Sequence, residues 1–215
     1  MRRKFQRVIQ VRPDHFALLN EIRRPWLEPE VLQQKFLALS ASVHPDRVHQ
    51  LGDVERAAAQ QCYVELNAAY RCLREPKDRL RHLLELEVGA LPKEIQRVPS
   101  DLMDCFMEIS QACRAADAVV SDKQQTTSPL LQVQCFERAQ VEREKLLVLQ
   151  QKINGRRDLL LAELKRIDAD WTANSNRESP QHSGLMSRLE ELYRLFSYFD
   201  RWLGQLQERV VQLSF

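Results

Sequence analysis

Apolar residues recur at three- and four-residue steps along almost the whole chain, and alternating apolar–polar runs, the mark of a half-buried strand, are nearly missing. The pattern predicts an all-α protein. Asp14 to Asn20 reads as a short helix, ended by the Arg23-Arg24-Pro25 break. A second helix is expected from about Pro29 to Val43, with Leu32, Phe36, Leu39 and Val43 on one face and Pro29 in its first turn. His44-Pro45-Asp46 ends it, because the residue before a proline is pushed out of helical dihedrals and the proline has no N–H to continue the ladder. After a loop through Gly52, a third helix from about Asp53 to Arg74 places Val54, Ala58, Cys62, Leu66, Ala69 and Leu73 along one stripe, which suits antiparallel packing on the second. Such a hairpin carries residues 44 to 46 at an exposed tip. Pro76 opens a shorter helix with Leu80, Leu83, Leu84 and Val88, and the first region so delimited is 13–88.

Gly89 to Pro99 contains two prolines and is the expected linker, assigned to 89–98. The helical pattern restarts at Ser100, a candidate N-cap, with Leu102, Met103, Phe106 and Ile109 on a stripe that reaches Cys113. The polar stretch Ser121 to Ser128 ends this helix. A long helix from about Leu131 to Trp171 carries Leu146, Leu149, Ile153, Leu160, Leu164 and Ile167, with Gly155 as a candidate kink. Thr172 to Gly184 reads as a polar loop, and the last helix repeats Leu185, Leu189, Leu192, Phe196, Phe199, Leu203, Leu206, Val210 and Leu213. Three such helices bury one another as an antiparallel bundle over 99–215.

Composition narrows the function classes. With 215 residues, 44% of them hydrophobic, the chain can build a real core, and 5 glycines are too few for a turn-rich β fold. Thirty-two basic against 30 acidic side chains leave +2, so no whole-molecule field selects nucleic acid, and no nucleic-acid partner is expected. No apolar run approaches the roughly 18 residues of a membrane span, and Met1-Arg2-Arg3-Lys4 leads into no apolar segment. No membrane partner and a cytoplasmic location are therefore expected. Residues 1–12 hold Arg2, Arg3, Lys4, Arg7 and Arg12 without an acid and read as a solvated basic tail, with a short organelle presequence as the alternative.

The 5 cysteines, Cys62, Cys72, Cys105, Cys113 and Cys135, form no C-x-x-C pair, which argues against a disulfide framework or a structural zinc site and for small buried hydrophobes. His44 and His49 share a loop without a second ligand pair, and His15, His82 and His182 are scattered. Neither a metal nor a cofactor is expected. No G-x-G-x-x-G, P-loop or nucleophile elbow occurs, and the carboxylates lie along helix faces with lysine and arginine partners, so the chain itself is not expected to be an enzyme.

The tripeptide His44-Pro45-Asp46 between two amphipathic helices is the most informative feature. Asp14-His15-Phe16-Ala17-Leu18-Leu19 precedes it, and Leu66-Asn67-Ala68-Ala69-Tyr70-Arg71-Cys72-Leu73 and Glu75-Pro76-Lys77-Asp78-Arg79 follow. Together these segments resemble a J-domain, the module that stimulates ATP hydrolysis by heat-shock chaperones of the DnaK class. The continuation, through Asp101-Leu102-Met103 with Phe106 and through Tyr198-Phe199-Asp200, resembles the HscB family, in which a J-domain is followed by a three-helix bundle and the protein serves iron–sulfur cluster assembly. The resemblance covers nearly the whole chain after Arg12 and is most specific up to Val88.

It implies that His44, Pro45 and Asp46 engage an HscA-like chaperone, with Asp46 a carboxylate suited to a bidentate arginine of the partner. J-domains usually carry several bases on the second helix; here Lys35 stands nearly alone, joined by Arg47 just after the tip, while Arg23 and Arg24 read as solvated loop charges. On the bundle the resemblance implies an IscU-like scaffold-binding face made of Leu102, Met103, Phe106 and Tyr198. Where the family has acids, this chain has Met107 and Ser110. The implied molecule joins a chaperone to a scaffold, with a monomer as the expected state; the alternative is a J-domain co-chaperone whose bundle binds a different client or self-assembles.

Overall fold

The computed structural model describes residues 13–44, 47, 52–89, 99–126, 128–173 and 180–214, which are helical with no strand among them. The chain divides into two compact units, Met1–Ala90 and Leu91–Phe215. The basic tail, linker residues 90–98 and the tip residues Pro45 and Asp46 lie outside the described residues.

In the N-terminal unit, α1 (His15–Leu18) begins at Asp14, whose Oδ1 accepts the N–H groups of Phe16 and Ala17 at 3.0 and 3.3 Å. The other oxygen accepts from Arg23 Nε at 2.9 Å. Burial alone would raise this carboxyl's pKa, but the Arg23 and backbone hydrogen bonds together hold it below its ordinary value. Arg23 is thus tied to the cap, and the reading of it as a solvated charge is corrected. Helices α2 (Pro29–Ser42) and α3 (Asp53–Arg74) follow. Leu32 is buried, and Phe36 stacks on Tyr70 with ring centroids 4.4 Å apart and planes 10° apart.

Of the stripe expected on α3, Leu66, Ala69 and Leu73 are buried, whereas Val54 is 83% exposed and Ala58 is also exposed. The reason is length. Helix α3 has 22 residues against 14 in α2, so its first turns find no α2 residue opposite.

Helix α4 (Pro76–Val88) ends at Gly89, which takes φ +73°, a left-handed value that glycine reaches without a Cβ clash, and donates its N–H to Glu85 O at 2.9 Å. Leu80, Leu83 and Leu84 are buried as expected, Val88 is exposed, and Arg79 is 2% exposed. The Arg79 guanidinium donates from Nε to Pro25 O at 2.8 Å and from Nη1 to Leu73 O at 2.6 Å, and it stands 5.8 Å from the Trp26 ring. One side chain of α4 thereby ties the α1–α2 loop to the end of α3.

In the C-terminal unit a 3-10 turn (Ser100–Leu102) leads into α5 (Met103–Gln125). Ser100 lies within this turn, and no side chain caps α5, which corrects the N-cap expectation. Helix α6 (Pro129–Ala173) has 45 residues, roughly 68 Å at the usual rise, and runs through Gly155 without a break. Helix α7 (Pro180–Ser214) has 35. The polar segment expected over 172–184 is shorter than composition suggests, because Trp171 and His182 pack with ring centroids 4.8 Å apart and draw its ends into helix.

Cross-helix pairs fix the directions. On α5 and α6, Asp122 meets Arg138 and Glu108 meets Lys152; on α6 and α7, Glu163 meets Arg188 and Arg157 meets Asp200. Rising numbers face falling ones, so both neighbouring pairs are antiparallel. The Arg188–Glu163 pair is bidentate, at 2.6 and 2.8 Å, and its hydrogen bonds hold the Glu163 carboxyl's pKa below its ordinary value. Inside lie Cys105, Ile109 and Ala116 of α5, Leu146, Ile153 and Leu164 of α6, and Leu192, Phe196 and Leu206 of α7.

Replacing Arg79 by leucine strands two buried carbonyls, at roughly 1–3 kcal/mol for an unsatisfied group. Urea unfolding of Arg79→Leu is expected to show a loss of about 2–4 kcal/mol. An unchanged midpoint would show that the Arg79 contacts contribute nothing net.

Candidate functional site

Two regions carry the residues singled out by sequence. At the end of α2, Val43 donates its N–H to Ser40 O at 3.3 Å and the helix stops. The half-buried His44 then presents its ring to Tyr63 of α3, edge to face, with centroids 5.8 Å apart and planes at 88°. Arg47 donates its N–H to His44 O at 2.9 Å, and its Nη1 reaches Ala41 O at 3.4 Å. His44 is therefore held between its own turn and the opposite helix. Tyr63 was not foreseen, although its spacing from Leu66 and Tyr70 places it on the face of α3 that meets α2.

Lys35 is held away from the tip. Its ammonium pairs with Glu21 at 2.8 Å and donates to Asn20 O at 3.0 Å, and Asn20 adopts φ +53°, a left-handed conformation that asparagine tolerates better than most residues. The cation fastens α2 to the α1–α2 loop.

On the bundle, the four positions expected to form one surface separate into two groups. Met103 and Phe106 point outward, 43% and 37% exposed, and Met107 is 56% exposed beside them. Leu102 and Tyr198 are 4% and 6% exposed, and Tyr198 packs near Trp202 with ring centroids 5.6 Å apart. The 3-10 turn and α5 thus share an inner stripe through Leu102, Cys105 and Ile109, and α5 has an outer strip of Met103, Phe106 and Met107. Ser110 is half-buried one turn further on.

The cysteines are free: Cys105, Cys113 and Cys135 are buried and Cys62 and Cys72 half-buried. Burial, with Asp78 close by, pushes the Cys72 thiol up to about 11, and burial also raises Cys105 and Cys113. The scattered-histidine reading is corrected for one pair: His15 and His82, far apart in sequence, lie with ring centroids 4.4 Å apart because α1 packs beside α4. No described helix is long and apolar enough to cross a membrane.

These features define a class: a J-domain-type helical hairpin in the first unit and a three-helix bundle in the second. The chain is HscB-like in sequence and in fold. It is 43% identical over 72 residues to the co-chaperone protein HscB homologue of Bordetella pertussis, covering 34% of this chain and 42% of that one. It is 36% identical over 115 residues to the homologue of Azoarcus sp., covering 52% and 65%. Among solved structures it resembles chaperone HscB from Vibrio cholerae, with a TM-score of 0.58 and 16% identity over 94% of this chain and 99% of that one. The crystal structure of human co-chaperone protein HscB gives 0.57 and 16%, over 92% and 80%. The chain spans about two fifths of the length of the Bordetella relative that it matches. No protein-family model matches it.

The division of α5 is measurable without any partner. Leu102→Ala is expected to destabilise the bundle by about 2–4 kcal/mol, as a buried leucine truncation does. The paired change Phe106→Ser and Met107→Ser, on the exposed strip, is expected to shift the melting temperature far less. The reverse order in calorimetric melting would invert the assignment of the two stripes.

Proposed function

We propose that the protein is a J-domain co-chaperone of iron–sulfur cluster assembly. Residues His44, Pro45 and Asp46, with Arg47 beside them, engage the ATPase of a DnaK-class, HscA-like chaperone and stimulate ATP hydrolysis, while the bundle holds an IscU-like scaffold protein. The protein itself makes and breaks no covalent bond. The observation that carries this reading is the match to HscB co-chaperone homologues, reinforced by the His44-Pro45-Asp46 order at the end of α2.

The chemistry of each end supports its role. The sequence puts an imidazole and a carboxylate two residues apart just after α2, and a carboxylate suits a bidentate arginine. Lys35 acts in this reading as a brace for α2, since its charge is already matched by Glu21. For the scaffold, the contact surface is Met103, Phe106 and Met107. Leu102 and Tyr198 set the rotation of α5 and the packing of α7 behind it. Two methionines and a phenylalanine make an adaptable apolar contact, and the replacement of the family's acids by Met107 and Ser110 moves the recognition from charge toward apolar burial.

A second reading keeps the chaperone-engaging tip but gives the bundle another client or a second copy of itself. It is favoured by Leu130, Leu131, Val133 and Phe136, four exposed apolar residues at the start of α6. A mass in light scattering that rises with concentration would support self-association.

In a steady-state ATPase assay with a DnaK-class chaperone, His44→Gln is expected to abolish the stimulation given by the native chain while circular dichroism and melting stay native. Stimulation retained by the variant would refute the role of the tip. Titration calorimetry with an IscU-type scaffold is expected to show binding that Phe106→Ala with Met107→Ala reduces by at least about tenfold, as loss of 1.4 kcal/mol or more of contact requires. Equal affinity for native and variant chains would remove the scaffold from this strip.

A further inference from the structure

A second cluster of chemically active side chains lies in the N-terminal unit, toward the end of α3 remote from Tyr63. His15 opens α1, Cys72 stands in the last turn of α3 and His82 lies midway along α4. One potential ligand atom from each lies within 4.8 Å of the other two. The three line an open cleft of about 610 Å³, shared with Glu75, Asp78 and Glu85. His15 Nδ1 is buried and has no hydrogen-bond partner. A polar atom left unpaired in this way costs free energy, and it is the kind of atom a ligand satisfies.

We propose that His15, Cys72 and His82 bind one zinc ion, with the fourth coordination position open to the cleft. Two imidazole nitrogens and a thiolate are the ligand set that zinc takes and that magnesium and calcium, which require oxygen, do not. Tetrahedral bonds of roughly 2.0–2.3 Å place ligand atoms about 3.3–3.8 Å apart. Side-chain rotations that draw the three atoms inward by about an ångström therefore complete the site, without a change in backbone path. The ligands come from three helices, so the ion would staple α1 to the α3–α4 pair.

Two existing hydrogen bonds are exchanged. His82 Nε2 accepts the backbone N–H of His15 at 3.0 Å, and a metal on that nitrogen replaces the bond; the released N–H belongs to the first turn of a helix, whose donors water ordinarily satisfies. Cys72 Sγ donates to Asp78 O at 3.5 Å, and the thiol proton passes to solvent as the sulfur–zinc bond forms. Arg71, Arg74 and Arg81 line the same cleft and oppose a cation, but Glu75, Asp78 and Glu85 match them in number.

The test uses the full chain, stripped of metal and titrated with cobalt(II), a spectroscopic stand-in for zinc. Saturation is expected at one equivalent, with a thiolate-to-cobalt charge-transfer band and the visible bands of tetrahedral cobalt. Zinc then displaces the cobalt and raises the melting temperature. Cys72→Ser is expected to lose the charge-transfer band and Cys62→Ser to keep it. His15→Ala is expected to weaken binding by more than about tenfold, the lower end of what loss of even an outer-shell partner costs. Circular dichroism confirms that each variant is folded. Absence of the band in the folded native chain, or its persistence in Cys72→Ser, overturns the site.

Discussion

A buried guanidinium holds the N-terminal unit together. Arg79 enters the interior of a helical unit too small to hide a free charge, and it does so because two backbone carbonyls with no helical partner, those of Pro25 and Leu73, wait for donors there. The first lies in the loop that delivers α2 and the second in the last turn of α3. Each long helix of the hairpin is thereby referred to the same side chain. The Asp14–Arg23 contact secures α1 and the Lys35–Glu21 contact secures α2 against the intervening loop. Three contacts thereby anchor the helices that lead toward His44.

The bundle reaches rigidity by another route. Its interior is continuous aliphatic and aromatic packing along α6 and α7, with ion pairs such as Arg188–Glu163 on the flanks. Helix α5 is the shortest of the three and carries apolar residues on more of its circumference than the bundle covers. The excess is the strip of Met103, Phe106 and Met107. An apolar strip left open on a helix whose opposite face is fully packed can meet a partner without disturbing the core, because the residues that hold the helix and the residues that face outward are different.

Much of this was legible in the sequence, for identifiable reasons. The periodicity located every long helix, and Pro29, Pro76 and Gly89 marked ends that the structure places within a residue or two, since proline and glycine act through local dihedrals. The partition of α5 was not legible. Leu102 and Phe106 are four residues apart, which is about 40° around a helix, so a small rotation decides which is covered, and that rotation is set by neighbours distant in sequence. The burial of Arg79 was hidden for a like reason: a charged side chain on an amphipathic helix reads as solvated until the carbonyls it serves are known. His15 and His82, separated by 67 residues, meet only because α1 lies beside α4. Local pattern specifies helices; side-chain clusters between helices belong to packing.

The neutralisation of Lys35 bears on how the proposed chaperone contact would work. A cationic second helix raises the rate at which an acidic partner is met, through a field that reaches about one Debye length, roughly 8–10 Å at physiological ionic strength. Helix α2 offers no such field: its one lysine is paired with Glu21, and the first turn carries Glu30. Specificity in that contact would then rest on interactions made after encounter, with His44 braced by Tyr63 and by the turn through Arg47. Such a tip trades on-rate for geometry, and it loses little when salt rises, because short-range hydrogen bonds and ring contacts are screened far less than separated charges. On the proposed scaffold strip the same would hold, since Met107 and Ser110 carry no charge. In the proposed function both ends would thus depend less on long-range charge than on contacts made at close range.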